Sequence, residues 1–293
     1  MLQAVSQHGL AFQFASDELR GDRDFVLEVV SRNGEALYFV SAELQKEKDV
    51  VIAAVSQNGS ALGYAEEFRN DRDVVLAAMS QNGEAIVYAS VEICNDKDFV
   101  LAAATKYSGA IGYASDSLRG DRDFAIEMVS INGGAIAYIS EEFRSDKSII
   151  LAAISNDGNA IAYASVDLRN DKDVVLTAMK KDGYAIAYAS EQLRGDQGFM
   201  ITAVNIDGHA LAYASAELRS DDTVVLAAVS QSGSALQYAS DERCNDKDCV
   251  LAAVSQNGDA LYYVSESLRN DDDVILAAKS SGRVGSLIQP ESF

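Results

Sequence analysis

The run Val74-Val75-Leu76-Ala77-Ala78-Met79 is apolar at every position. A short continuous apolar run fits a buried strand or a buried helix, and the Ala-Ala pair decides for helix, because alanine is a strong helix former and a poor strand former. The pattern predicts a first helix of about three turns at most, enclosed by neighbours on all sides. Ahead of it, Asn70-Asp71-Arg72-Asp73 offers a side-chain oxygen to cap the free amides and a further carboxylate for the helix dipole. Behind it, Asn82-Gly83 supplies the left-handed residue that ends a helix. Beyond the glycine, Ala85, Ile86, Ala89 and Ile93 share one side while Glu84, Val87 and Val91 share the other, which predicts an amphipathic second helix. The next acidic cap then follows with almost no linker.

This unit recurs throughout the chain. An aromatic marks each copy from Phe14 to Tyr263, every 25 residues apart from one step of 24 between Tyr64 and Tyr88, where AEEFRND lacks a residue. Eleven units result, the first without its front half. Helices this short are marginal alone and need stacked neighbours. The expected architecture is all-α, an α-solenoid of short helix-turn-helix repeats over residues 1–279, followed by an irregular tail at 280–293 that carries the single proline, Pro290. The missing cap at the start reads as a piece of a longer array or as an end that a partner covers.

Composition narrows the classes of function. The net charge of −21, from 45 acidic and 24 basic residues, repels phosphate backbones and favours basic partners, so a nucleic-acid ligand is not expected. Three cysteines, Cys94, Cys244 and Cys249, have neither metal-site spacing nor the density of a disulfide framework. Their odd number favours a reducing, cytoplasmic setting. No apolar run approaches the roughly 18 residues that would predict membrane insertion.

Segments such as DKDVVLTAMKKDGYAIAYASEQLR and DDTVVLAAVSQSGSALQYAS resemble a tandem repeat family described as a domain of unknown function, with the pattern D-x-x-V-L-x-A-V-x-x-N-G-x-A-L-x-Y-A-S. The likeness covers residues 1 to about 280. It implies a long helical array and carries no activity or site residue.

Candidate chemistry is sparse. The aromatic ladder reads as packing between repeats, since a stacking track for bases also needs a basic groove. Arg20, Arg69, Arg119 and their equivalents fall two residues before an aspartate, placed to bridge repeats or to bond the last carbonyls of their own helix. The aspartate clusters sit where capping needs them and lack the spacing of a calcium loop, so no metal and no cofactor is expected. His8 and His209 stand eight repeats apart with no serine or cysteine arrangement beside them, and the chain is not expected to be an enzyme.

The informative positions are those that depart from the template. Most copies end the first helix with Ser-Gln-Asn-Gly or a close relative, yet Lys106, Tyr107, Ile131, Lys180, Lys181, Tyr184, Ile206 and His209 break that pattern at the turns along one edge. Apolar, aromatic and cationic side chains at exposed turns of an acidic surface suit a protein-binding interface. The expected function is a noncatalytic scaffold for a protein partner, a basic one. Two alternatives are a structural subunit that self-associates end to end in a larger assembly or filament, and the recognition arm of an enzyme whose catalytic domain lies elsewhere.

Overall fold

The computed structural model describes residue 5 and residues 8–281; they are helical, and no strand occurs among them. The predicted tail beyond 281, with Pro290, and most of the first half-unit lie outside the described residues. The chain divides into two compact units, Met1–Ser140 and Glu141–Phe293.

Within each unit the repeat has three pieces. In the copy that best represents them, a ten-residue α-helix Arg72–Gln81 is followed by a six-residue 3₁₀ helix Gly83–Tyr88 and a single α-turn Val91–Cys94. Asp71 starts the first piece: its Oδ1 accepts from the backbone amides of Asp73 at 3.0 Å and Val74 at 3.2 Å. The apolar run is not enclosed on all sides as its composition suggests. Val74, Val75, Ala78 and Met79 are fully buried, whereas Leu76 and Ala77 are only half-buried. A stacked helix has neighbours on either side and the 3₁₀ layer behind it, which leaves one face open.

The helix ends differently from the expectation. Asn82 is extended (φ −145°, ψ 113°), and neither Gly59 nor Gly83 occupies the left-handed region. Instead Asn82 caps the next element, its Oδ1 accepting from the Glu84 amide at 3.0 Å. The glycine is required by proximity, since a Cβ on Gly59 would lie 2.5 Å from the Ala78 carbonyl oxygen of the following repeat.

The predicted second helix is likewise two pieces. Of its expected inward side Ala85, Ile86 and Ile93 are buried and Ala89 is only half-buried, while Glu84, Val87 and Val91 are exposed. Ala89 and Ser90 are extended, however, and the chain breaks there. The break has two causes. Ser90 Oγ caps the following turn by accepting from the Ile93 amide at 3.2 Å, and the Ser90 N–H, turned outward, donates to the Arg69 carbonyl of the preceding repeat at 2.7 Å. The same backbone rung joins Ser41 to Arg20 at 3.0 Å, Ser115 to Cys94 at 2.9 Å and Ser190 to Arg169 at 3.0 Å.

In the first unit the helices Arg23–Arg32, Lys48–Gln57 and Arg72–Gln81 pack each on the next, as do Lys172–Lys181, Gln197–Ile206, Asp222–Gln231 and Lys247–Gln256 in the second, and the 3₁₀ helices stack behind them. Each buried Val, Ile or Leu contributes about 1.5–3 kcal/mol against chain entropy. A second, electrostatic ladder runs along the helix starts. Lys48 Nζ meets Asp71 of the next repeat at 2.9 Å, Lys147 meets Asp171 at 2.6 Å, Lys172 meets Asp196 at 2.8 Å and Lys247 meets Asp271 at 2.9 Å. The bridging cation is therefore the residue after the N-cap position, an aspartate in three of these repeats and Glu47 before Lys48. Of the two roles open to the arginines that precede the capping aspartates, Arg69 and Arg269 take the local one, donating to the carbonyls of Gly63 at 2.6 Å and Val264 at 2.9 Å.

Candidate functional site

The Ser-Gln-Asn-Gly turn holds adjacent repeats together. Gln81 Oε1 accepts from the backbone N–H of Gly59, one repeat earlier, at 2.7 Å; Gln231 does the same for Gly208 at 2.7 Å and Gln256 for Gly233 at 2.6 Å. In five consecutive repeats that glutamine is replaced by Lys106, Ile131, Asn156, Lys181 and Ile206. Most of the template-breaking residues thus occupy, or adjoin, a turn position whose side chain ties the layers.

In the first unit, Lys106 and Tyr107 line a groove of about 660 Å³ together with Glu84, Tyr113 and Tyr138. Tyr107 stands where asparagine normally caps the 3₁₀ helix, and it makes no capping bond. Its ring instead lies over Gly83, where a Cβ would come within 2.9 Å of it. Gly112 opens the same groove, because it presents no side chain beneath the Tyr138 ring, 3.3 Å from where its Cβ would be. Ile131, one repeat on, is 36% exposed and does not line the groove.

In the second unit, Lys180 and Lys181 are exposed in the last turn of Lys172–Lys181, and Tyr184 is 70% exposed. Asp182 takes over the asparagine's role and accepts from the Tyr184 amide at 2.9 Å. Tyr184 and His209 share a cleft of about 40 Å³ with Asp207, Tyr213 and Tyr238; Lys180, Lys181 and half-buried Ile206 lie outside it. His209 is less isolated than its sequence context suggests. Its Nδ1 is 3.1 Å from Asp207 Oδ1, and its Nε2 is 3.0 Å from Ser234 Oγ in the next repeat. The serine is 25 residues away, one repeat length, so only stacking brings it there. At the equivalent place two repeats earlier, Asn159 Nδ2 donates to Asp182 Oδ2 at 2.7 Å, a tie of the same kind.

A second groove, of about 570 Å³, was not singled out by the pattern of turn residues. It lies in the first unit between Tyr38 and Tyr64, beside Gly63, Lys46, Glu66 and Glu67. The available signal was the missing residue in AEEFRND, which immediately follows Tyr64.

Among the described residues, no group of three or more His, Cys, Asp or Glu side chains is placed to hold a metal ion, and no helix is long and apolar enough to cross a membrane. Burial pushes the Cys249 thiol up to about 12, and raises those of Cys94 and Cys244 less far. None of the three is an activated nucleophile.

No curated protein and no solved structure matches the chain. A family model described as Domain of unknown function (DUF4116) matches in tandem over residues 1–45, 22–69, 47–94, 71–119, 96–144, 121–169, 146–194, 196–244 and 246–283. Since these matches span nearly the whole helical array, the chain belongs to the DUF4116 family.

Proposed function

We propose that the protein is a noncatalytic α-solenoid scaffold that holds a protein partner along the edge formed by its inter-helix turns. The observation that carries this reading is the loss of the tying glutamine in five consecutive repeats. At four of these positions a lysine or isoleucine, which has no side-chain oxygen to accept the glycine N–H, forgoes a hydrogen bond worth about 1 kcal/mol; asparagine stands at the fifth. A surface selected for stability alone would retain the tie. A rigid frame that offers a few variable side chains per repeat accumulates affinity without an enclosed pocket. Contacts are assigned to Lys106, Tyr107 and Ile131 in one unit and to Lys180, Lys181, Tyr184, Ile206 and His209 in the other. The acidic surface favours a basic partner, and three free thiols suit a cytoplasmic one.

The test replaces Tyr184 and Ile206 together with serine. Circular dichroism and the urea midpoint should be little changed, while recovery of partners by the immobilised chain should fall. Recovery of the same partners in the same yield refutes the contact assignment.

One observation favours a second reading, acyl transfer. The hydrogen-bonded chain Asp207–His209–Ser234 has the order of acid, base and nucleophile. It ranks second because the adjoining cleft, about 40 Å³, has room for little more than a water, and because Asn159 makes an equivalent tie with no imidazole. Labelling of Ser234 by a fluorophosphonate, abolished in His209→Asn, would promote it.

A further inference from the structure

We infer that the groove between Tyr38 and Tyr64 is a receptor for a cationic side chain, an arginine or lysine presented on a basic peptide segment. It is a separate site from the turn edge and shares with that reading only the sign of the partner's charge.

The groove originates in the shortened repeat. Every other full copy follows its ladder aromatic with an apolar residue and a serine whose N–H reaches back to the preceding repeat. Here Ala65 is followed directly by Glu66, Ala65 adopts φ −107°, ψ 63°, and a short 3₁₀ turn Glu66–Phe68 replaces the serine-capped one. The rung to the preceding repeat is absent among the described residues. Gly63 contributes backbone to the lining.

What lines the opening is suited to a cation. The Tyr38 and Tyr64 rings are exposed, with centroids 5.1 Å apart and planes tilted by 57°. Phe39 packs edge-on against Tyr38 at 5.0 Å and limits its rotation. Two ring faces meeting at an angle present converging negative quadrupoles to a guanidinium or ammonium group. Glu66 and Glu67 line the same groove. Lys46 neutralises Glu67 at 2.7 Å, while Glu66 has no ion pair among the described residues. The groove therefore combines aromatic faces with an uncompensated carboxylate, within a chain of net charge −21 that concentrates cations around it. Lys46, the cation in this lining, is already engaged by Glu67, so an anionic side chain meets a rim with more carboxylate than cation.

The experiment uses the full chain with ¹³C-labelled tyrosine and a short Gly/Arg peptide, compared with the same peptide carrying citrulline, which keeps the shape of arginine and loses its charge. The arginine peptide should shift the Tyr38 and Tyr64 ring resonances saturably, and the citrulline peptide should not. Tyr64→Leu and Glu66→Gln should each weaken binding about two- to five-fold. Lys46→Ala should strengthen it by freeing Glu67. Equal shifts from both peptides, shifts spread evenly over the whole tyrosine ladder, or full affinity in Glu66→Gln would each overturn the assignment. Because no protein partner enters the measurement, loss of the turn-edge reading through the Tyr184 and Ile206 variants would leave this result standing, and the reverse also holds.

Discussion

Gly59 and Gln81 belong to adjacent repeats, and the glutamine side chain accepts the glycine's N–H at 2.7 Å while the Ala78 carbonyl lies where the glycine's Cβ would be. One turn thus uses a side chain of the following repeat to satisfy a backbone donor, and a missing side chain to let the two backbones approach.

Gly59→Ala should accordingly be among the more damaging single substitutions, since the added carbon would sit 2.5 Å from a backbone oxygen that cannot rotate away. Overpacking of this kind costs about 1–3 kcal/mol. Gly109→Ala, with nothing within 4 Å of its Cβ, serves as the control and should change little. Urea midpoints that fall equally in the two variants would contradict the close-approach explanation.

Lys181→Gln should raise stability by about 0.5–1.5 kcal/mol. Gly158 approaches the next helix as Gly59 does, with its Cβ position 3.0 Å from the Ala178 oxygen, so a glutamine at 181 is placed to accept the Gly158 N–H. If the same variant also lowers partner recovery, the exchange of stability for surface chemistry is demonstrated at one residue. An unchanged or lowered melting temperature would show that the tie is not available there.

The ladder of helix-start ion pairs predicts a dependence on pH. Lys147 holds the Asp171 carboxyl below its ordinary 3.8, as Lys172 does for Asp196, with the backbone amides of the cap adding to both. A carboxyl depressed in the folded state contributes stability that is present above pH 3.8 and is lost as pH falls through the folded value. Asp171→Asn keeps a capping oxygen and loses only the charge. It should melt lower than the parent chain at pH 7, and the difference should close at strongly acidic pH and narrow in high salt. On the alkaline side, Lys147 is raised from 10.5 by its hydrogen bond to Asp171, so the same pair weakens only above that pH.

Thiol titration should separate the cysteines. Cys249 is buried with its thiol pushed up to about 12, leaving a negligible thiolate fraction near pH 8. Ellman's reagent should modify it only on unfolding, whereas half-buried Cys94 and Cys244 should react slowly in the native chain. Rapid native reaction at three thiols would mean that the repeat around Cys249 opens.

The array, its period, its all-helical class, the capping aspartates and the inward side Ala85, Ile86 and Ile93 were legible in the residues alone, because they follow from local propensity and from periodicity within one copy. The interruption at Ala89-Ser90 was not, since it depends on Ser90 bonding to Arg69 in another layer. Nor does a single copy show why the turn needs glycine, because the requirement is an approach between repeats and not a backbone conformation.

For the candidate site, the sequence by itself marked which residues depart from the template and located the missing residue after Tyr64. Only tertiary structure decided what those departures do. It placed Lys106, Lys181 and Ile206 in the slot of the tying glutamine, put Ser234 against His209, and opened the groove between Tyr38 and Tyr64. Residues about one repeat length apart become neighbours only when layers stack, so chemistry shared between layers has no signature within a single copy.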